Sequence, residues 1–341
     1  MDKRSGSLAY NRLDMQISQV FHLAIELYDT FDYMMILDHE DDITVYDDQG
    51  IHDSVSFYQM KTKDDSISLS IAISEGWIEK LYSHMSKPDV LIRELGLITN
   101  CPLKLDRTLI SVDRTPFTSF RRSYIDDIKA DIASKRSIPV DEVDLSKMVH
   151  MRTTLSIDAH RQIVESEAST FLVSKFPSIK VQVVKTIVAA VFDILGKRQS
   201  FERLPDEAKY DDVAKRKGFS RTMFDRIIKT AIKVNIPEYD TLVSACKIPD
   251  DKKEQAALAY TRVLADSHNN TDSFIEIFDA LDQVVSSTTP AKDETLWMFS
   301  VRCKAEFSKK RKKLSRIYAD GYYLEILAIC IYLAEGENID D

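Results

Sequence analysis

Apolar residues recur with two different periods along this 341-residue chain. Between residues 8 and 28 they return every three or four positions, the period of one face of an α-helix. Between residues 31 and 61 they form short runs separated by polar turns, which predicts strands. Beyond about residue 120 strand signals vanish and helical periodicity remains. The pattern predicts an α/β part followed by a helical part.

The same pattern predicts the individual elements. Strands are expected at 33–37, 43–46, 55–60, 94–100 and 109–112, with a turn at residues 47–50 (DDQG). Helices are expected at 8–28, 71–85, 123–135, 158–175, 181–195, 206–217, 222–233, 252–267, 271–285 and 305–335. Residues 215–221 (KRKGFSR) have some character of a helix–turn–helix, although a plain corner between helices is the simpler interpretation.

Composition narrows the class of protein. Four widely spaced cysteines favour reduced thiols over disulfides or a zinc site. The first residues lack the apolar core of a signal peptide, and the longest apolar run, at 326–334, is too short to cross a bilayer. We therefore expect a soluble, cytoplasmic protein without membrane contact. The net charge of −9 means that any nucleic acid must bind a local basic patch.

The segment 31–63 carries the candidate chemistry. Gln59 and Lys61 alternate along a predicted strand and therefore share a face. If the hairpin is centred between Gly50 and Ile51, Asp42 lies opposite Gln59. Carboxylate and amide oxygens are ligands that Mg²⁺ or Mn²⁺ prefers, and a lysine beside them can orient water or stabilise a phosphorane. The spacing predicts a metal-dependent phosphodiesterase site.

Spacing alone leaves other interpretations open. The same residues can be surface polar groups on a half-exposed hairpin. The run at 39–42 (HEDD) also suggests a His–Asp metal site, but such a site normally draws further histidines from helices, and the other six are scattered.

Several segments occur in an order that resembles a known family. They are residues 5–10 (SGSLAY), 23–28 (LAIELY), 41–43 (DDI), 57–63 (FYQMKTK), 94–103 (ELGLITNCPL) and 216–228 (RKGFSRTMFDRII). Together they resemble the double-stranded-DNA endonuclease domain of bacterial anti-phage systems, a branch of the PD-(D/E)xK superfamily. That domain occurs on effector nucleases of cyclic-oligonucleotide (CBASS) signalling and on the nuclease subunit of Lamassu-type systems. The resemblance covers about residues 5–235.

The resemblance implies a role for each site residue. Asp42 becomes the metal-binding acid, Gln59 takes the place of the second acid, Lys61 becomes the catalytic lysine, and the Met60 carbonyl completes the metal shell. Glu26 matches a glutamate often found on the first helix of such domains. Its position nearly opposite the apolar stripe of that helix favours an exposed glutamate equally well.

Other polar residues near the hairpin and beyond it are weaker candidates. Glu40 and Asp41 are alternates for the metal-binding acid, and Glu40 is preferred because it can face the same way as Asp42. Arg121 and Arg122 are candidates to line a DNA groove, or simply begin a helix. A basic run at residues 309–313 is a further candidate DNA contact, a solvated helix face or a docking site. The run consists of Lys309, Lys310, Arg311, Lys312 and Lys313.

The resemblance implies a restriction-endonuclease-like α/β core in an endonuclease domain over 1–235, with its catalytic core in 1–120 and a helical part in 121–235. A helical partner-binding or oligomerisation domain would follow at 236–341. The strand-poor remainder favours a nuclease restrained by an SMC-like ATPase and an accessory subunit, and active as a homo-oligomer, over a cyclic-nucleotide-activated or stand-alone nuclease. A catalytically inert DNA-binding scaffold is the remaining alternative.

Overall fold

A computed structural model describes residues 5–47, 54–87, 90–110, 112–177, 179, 181–201, 204–205, 208–233, 236–269, 272–318 and 321–337. The chain forms two compact units. The first contains Met1–Phe171 and Leu195–Thr222, and the second contains Leu172–Ile194 and Met223–Asp341. This division falls inside three helices, whereas the domain boundary predicted from sequence at 235–236 stays a prediction.

A mixed sheet of seven strands forms the centre of the first unit, in the order β10-β1-β2-β3-β5-β9-β8. Strands β3, β5 and β9 are parallel, and the other pairs are antiparallel. The strands are β1 (Tyr33–Leu37), β2 (Ile43–Asp47), β3 (Ser54–Lys61), β5 (Leu91–Thr99), β8 (Arg114–Pro116), β9 (Met148–Arg152) and β10 (Gly218–Ser220). A small second sheet contains β4 (Ile67–Ser68), β6 (Leu103–Leu105) and β7 (Thr108–Ile110).

Helices also contribute to the first unit. They are α1 (Ser5–Glu26), α2 (Leu69–Ser74), α3 (Trp77–Tyr82), α4 (Arg122–Arg136), α5 (His160–Lys175), α6 (Val181–Gln199) and α7 (Tyr210–Lys217), of which α5 and α6 extend into the second unit. On β3, Val55 and Phe57 pack into a core with residues of β5, α2, α3 and α4. Because side chains alternate along a strand, Gln59 and Lys61 continue the same face of β3 beyond that core.

The second unit is helical in its described part. Besides its shares of α5 and α6 and all but the first two residues of α8 (Arg221–Lys233), it contains α9 (Tyr239–Cys246), α10 (Lys253–Asn269), α11 (Asp272–Ser286), α12 (Leu296–Lys310), α13 (Lys312–Ile317) and α14 (Tyr323–Glu337). Helix α14 is apolar on all sides and packs against α10, α11 and α12. In the part of the chain that the structure describes, no helix combines the length and the apolar composition needed to cross a bilayer.

The structure bears out the predicted α/β core with a helical remainder, and it corrects three details. The expectation of no strand beyond residue 120 is wrong, because β9 lies inside the sheet and β10 pairs with β1. The predicted helix 71–85 is broken at Gly76, whose φ of 72° is left-handed. The predicted helix 305–335 is three helices, and the first break falls at Arg311, inside the basic run.

Candidate active site

The register between β2 and β3 brings Asp42, the predicted metal-binding acid, beside the strand that carries the predicted catalytic Lys61. Ile43 lies opposite Tyr58, so the next pair outward is Asp42 and Gln59. The Met60 N–H donates a hydrogen bond of 2.7 Å to Asp42 Oδ2. This arrangement fits the sequence-based pairing of Asp42 with Gln59, although the predicted hairpin centre at residues 50–51 lies outside the described residues.

A pocket of about 430 Å³ opens at this end of the sheet. It is lined by residues of α1, of the turn before β2, of the end of β3 and the segment after it, of β4 and of α3. The lining residues are Arg12, Gln16, Asp42, Met60, Lys61, Thr62, Lys63, Ile67 and Trp77. Asp42 and Lys61 thus share one pocket, as the sequence predicts, and Gln59 is not among the lining residues.

The Gln59 side chain is buried and already engaged. In the orientation that satisfies both ends of its amide, the nitrogen donates to the Trp77 carbonyl (3.1 Å) and the oxygen accepts from Lys80 Nζ (3.2 Å). Lys61 also faces α3, with its Nζ 5.2 Å from the centre of the Trp77 ring. Helix α3 therefore covers the face of β3 that carries both predicted site residues.

Asp41 lies behind the pocket rather than in it. Its carboxylate is completely buried and accepts from Lys80 Nζ at 2.9 Å and from His84 Nε2 at 3.2 Å. His84 in turn stacks on Phe57, with ring centres 3.8 Å apart. Burial alone would raise the pKa of Asp41, but the hydrogen bonds from His84 and Lys80 hold that pKa below its usual range. Asp41 is therefore a charged anchor for the turn that carries Asp42.

Burial shifts the two facing groups towards their neutral forms. It raises the pKa of the Asp42 carboxyl, against the opposing effect of the Met60 N–H. It lowers the pKa of Lys61, against the opposing effect of the Asp42 charge. A carboxylate that is costly to ionise in the free protein gains from a cation nearby.

The remaining candidates are not brought to the pocket. Glu26 is exposed near the C-terminus of α1 and lies 3.9 Å from His22, whereas Arg12, 14 residues earlier on the same helix, lines the pocket. At 1.5 Å per residue this separation is about 21 Å along the helix axis. Glu40 pairs with Lys87 instead of facing the pocket.

The basic candidates lie elsewhere on the surface. Arg122 is exposed and pairs with Asp126 at 2.9 Å, and neither it nor Arg121 lines the pocket. All five residues of the basic run are exposed, at the end of α12 and the start of α13 in the second unit. Their DNA contacts stay a prediction.

Three basic side chains at the site were missed from sequence. Arg12 and Lys63 line the pocket, and within the described residues neither side chain has a hydrogen bond or ion pair. Lys80 contacts Asp41 and Gln59 from α3. The sequence does contain one sign of this contact. Lys80 and His84 are four residues apart, which places both on one side of a helix, where they can bind the same acid.

The donor set fits a divalent cation. The described residues contain no group of three or more His, Cys, Asp or Glu side chains that would hold a metal by themselves. Mg²⁺ is usually held by one or two carboxylates together with water and substrate phosphate, which Asp42 in an open pocket allows. A cationic group, the Lys80 ammonium, already contacts the Gln59 oxygen.

Comparison with known proteins assigns the family. Residues 4–198 match the family model of the Cap4 dsDNA endonuclease domain, which covers more than half of the chain. Over 237 residues the chain is 28% identical to the Lamassu protein LmuA of Bacillus cereus (strain VD014). The alignment covers 68% of this chain and 66% of that protein, just under two thirds of its length. No solved structure matches the chain. The predicted endonuclease family is confirmed, and the chain belongs to the Cap4 dsDNA endonuclease domain family.

Proposed function

We propose that this protein is a metal-dependent double-stranded-DNA endonuclease whose working residues are Asp42, Lys61 and Gln59. The observation that carries the proposal is the pocket in which Asp42 and Lys61 meet beside Arg12 and Lys63. Arg12 and Lys63, whose side chains have no hydrogen-bond or ion-pair partner within the described residues, lie next to a single carboxylate and give this pocket a positive character in a chain of net charge −9. Such a pocket attracts a phosphodiester backbone.

Each residue then has a task in cleavage. Arg12 and Lys63 bind the phosphates on either side of the scissile bond, and Trp77 shields the lysine from water. Asp42, together with the Met60 carbonyl and Gln59, would hold Mg²⁺ or Mn²⁺, which supplies Lewis-acid polarisation of the phosphate and a more acidic bound water when present. Lys61 orients the attacking water or donates to the charge that develops on the phosphate. Its lowered pKa makes the proton on Nζ easier to share.

We also propose a setting for this activity. Similarity to a Lamassu protein supports a role in anti-phage defence, as the nuclease subunit of a complex with an SMC-like ATPase and an accessory subunit in the cytoplasm. The helical second unit, with its exposed basic run, offers the surface for docking such partners. Homo-oligomerisation on release would pair two active sites and allow both strands to be cut.

Plasmid cleavage with Mg²⁺ tests the site. We expect Lys61→Ala and Asp42→Asn each to lower the cleavage rate by at least about a hundredfold, the range for loss of a group that stabilises transition-state charge. Lys104→Ala is the matched control, because Lys104 is exposed on β6 and does not line the pocket. It should cleave like the wild type. Full activity of a correctly folded Lys61→Ala protein would refute the assignment.

A further inference from the structure

Lys80 holds two acceptors of the site at once. Its ammonium lies 2.9 Å from Asp41 Oδ1 and 3.2 Å from the Gln59 oxygen. The opposite end of the Gln59 amide donates to the Trp77 carbonyl, which fixes the direction of the side chain. The oxygen proposed to bind metal therefore already faces a positive charge from the protein itself.

A divalent cation that takes the Gln59 oxygen competes with that charge. Two cations on one amide oxygen repel each other, so the ammonium must withdraw when the metal is bound through both Asp42 and Gln59. The Lys80 side chain is 51% exposed, which leaves it a path into water. Asp41 keeps its second partner, His84, throughout such a movement, so its buried charge does not become unpaired.

We propose that Lys80 is a positioning residue that holds Gln59 in its metal-free arrangement and competes with the divalent cation for the Gln59 oxygen. This inference rests on the metal site of the proposed function. It assigns Lys80 a role in setting how much free cation the enzyme needs. The Lys80 ammonium thus occupies the Gln59 oxygen until the metal displaces it.

Binding of Mn²⁺, measured by calorimetry on the full chain without DNA, tests the competition. We expect Lys80→Met to bind Mn²⁺ about ten- to hundredfold more tightly than the wild type, the range for removing one competing hydrogen bond to a charged group. Lys80→Arg keeps a positive charge with N–H donors, although in a different geometry, and should bind closer to the wild type than Lys80→Met does. Unchanged or weaker binding by a folded Lys80→Met protein would overturn the inference.

Lys87 provides a matched control for general electrostatics. It is a neighbouring lysine that pairs with Glu40 and lies over the Phe57 ring, but it does not contact Gln59. Lys87→Met should leave the Mn²⁺ affinity unchanged. If it tightens binding as much as Lys80→Met does, competition at the Gln59 oxygen is refuted and a bulk charge effect explains the gain.

Two further variants separate this inference from the proposed function. Gln59→Leu in the Lys80→Met background removes the contested oxygen, and we expect it to cancel the gain in affinity; a persisting gain contradicts the inference. If Asp42→Asn binds Mn²⁺ as well as the wild type, the proposed metal site itself fails. Thermal unfolding checks each fold, and Lys80→Gln, which keeps an N–H donor for Asp41, replaces Lys80→Met if the latter does not fold.

Discussion

At the scale of single residues, the charge of Asp42 is unfavourable for folding, a cost that a cation at the proposed site would offset. Its carboxyl is buried next to Asp41, and the Met60 N–H together with the charges of Lys61 and Lys80 offsets only part of the effect of burial on its pKa. The raised pKa means that ionised Asp42 is less stable in the folded chain than in the unfolded chain. The penalty is present above the folded pKa and is lost as the pH falls through it.

The raised pKa of Asp42 predicts that removing its charge stabilises the metal-free protein. We expect Asp42→Asn to raise the Tm at pH 8 in the presence of EDTA by on the order of 2 °C, while abolishing cleavage. Asparagine keeps an oxygen that can accept from the Met60 N–H, so the packing is preserved. The gain should shrink as the pH is lowered and the wild-type carboxyl takes up its proton. A Tm at pH 8 that is equal to or below the wild-type value would contradict this account.

At the scale of elements, the turn between β1 and β2 is supported by a short strand from far along the chain. Lys217 at the end of α7 is completely buried and donates to the Asp38 carbonyl at 3.0 Å. The Asp38 N–H donates to the Asp42 carbonyl at 3.1 Å and so closes the turn. Because Gly218 pairs with Ile36, β10 brings Lys217 to the turn that carries Asp42.

Gly218, the first residue of β10, leaves no room for a larger side chain. A Cβ there would overlap the Ala214 carbonyl oxygen and lie 2.6 Å from the Met34 sulfur. We expect Gly218→Ala to destabilise the protein by about 1–3 kcal/mol in urea unfolding, as overpacking does, and to lower cleavage by loosening the Asp42 turn.

Gly196 in α6 provides the control for that substitution. Among the described residues, a Cβ there meets only Ile17 Cδ1, at 3.9 Å, which is ordinary contact. Gly196→Ala should be neutral or stabilising by up to about 1 kcal/mol, because alanine favours a helix. If the two substitutions change stability equally, overpacking at Gly218 does not explain the effect of Gly218→Ala.

Sequence patterns predicted those parts of the site that depend on local spacing. Asp42 and Gln59 are placed opposite each other by the alternation of β2 and β3, and the structure has that register. Strand β9 was missed because MVHMR has five residues and a central histidine, so its burial within the sheet is set by β5 and β8 rather than by its own pattern. Lys80 was missed for a related reason, since its contact with Asp41 joins residues 39 positions apart.

At the scale of the whole molecule, DNA must bind against an unfavourable net charge. Lys and Arg number 46 and Asp and Glu number 55, so the attraction comes from local groups. Many of the described basic side chains, including Arg93, Arg114, Arg136, Arg161 and Arg302, are already paired with acids. Arg12 and Lys63 have no such partner within the described residues, and both line the pocket.

The salt dependence of DNA binding tests whether these two side chains contact phosphates. In the cleavage-deficient Asp42→Asn background, we expect Arg12→Gln and Lys63→Gln each to reduce the slope of log K against log salt by about 0.9, the value for one lost phosphate contact. Arg122→Gln is the control, because Arg122 is 85% exposed and already paired with Asp126. It should leave the slope unchanged. A slope that is unaffected by Arg12→Gln and reduced by Arg122→Gln would move the DNA path from the pocket to the start of α4, as the alternative sequence-based prediction for Arg121 and Arg122 requires.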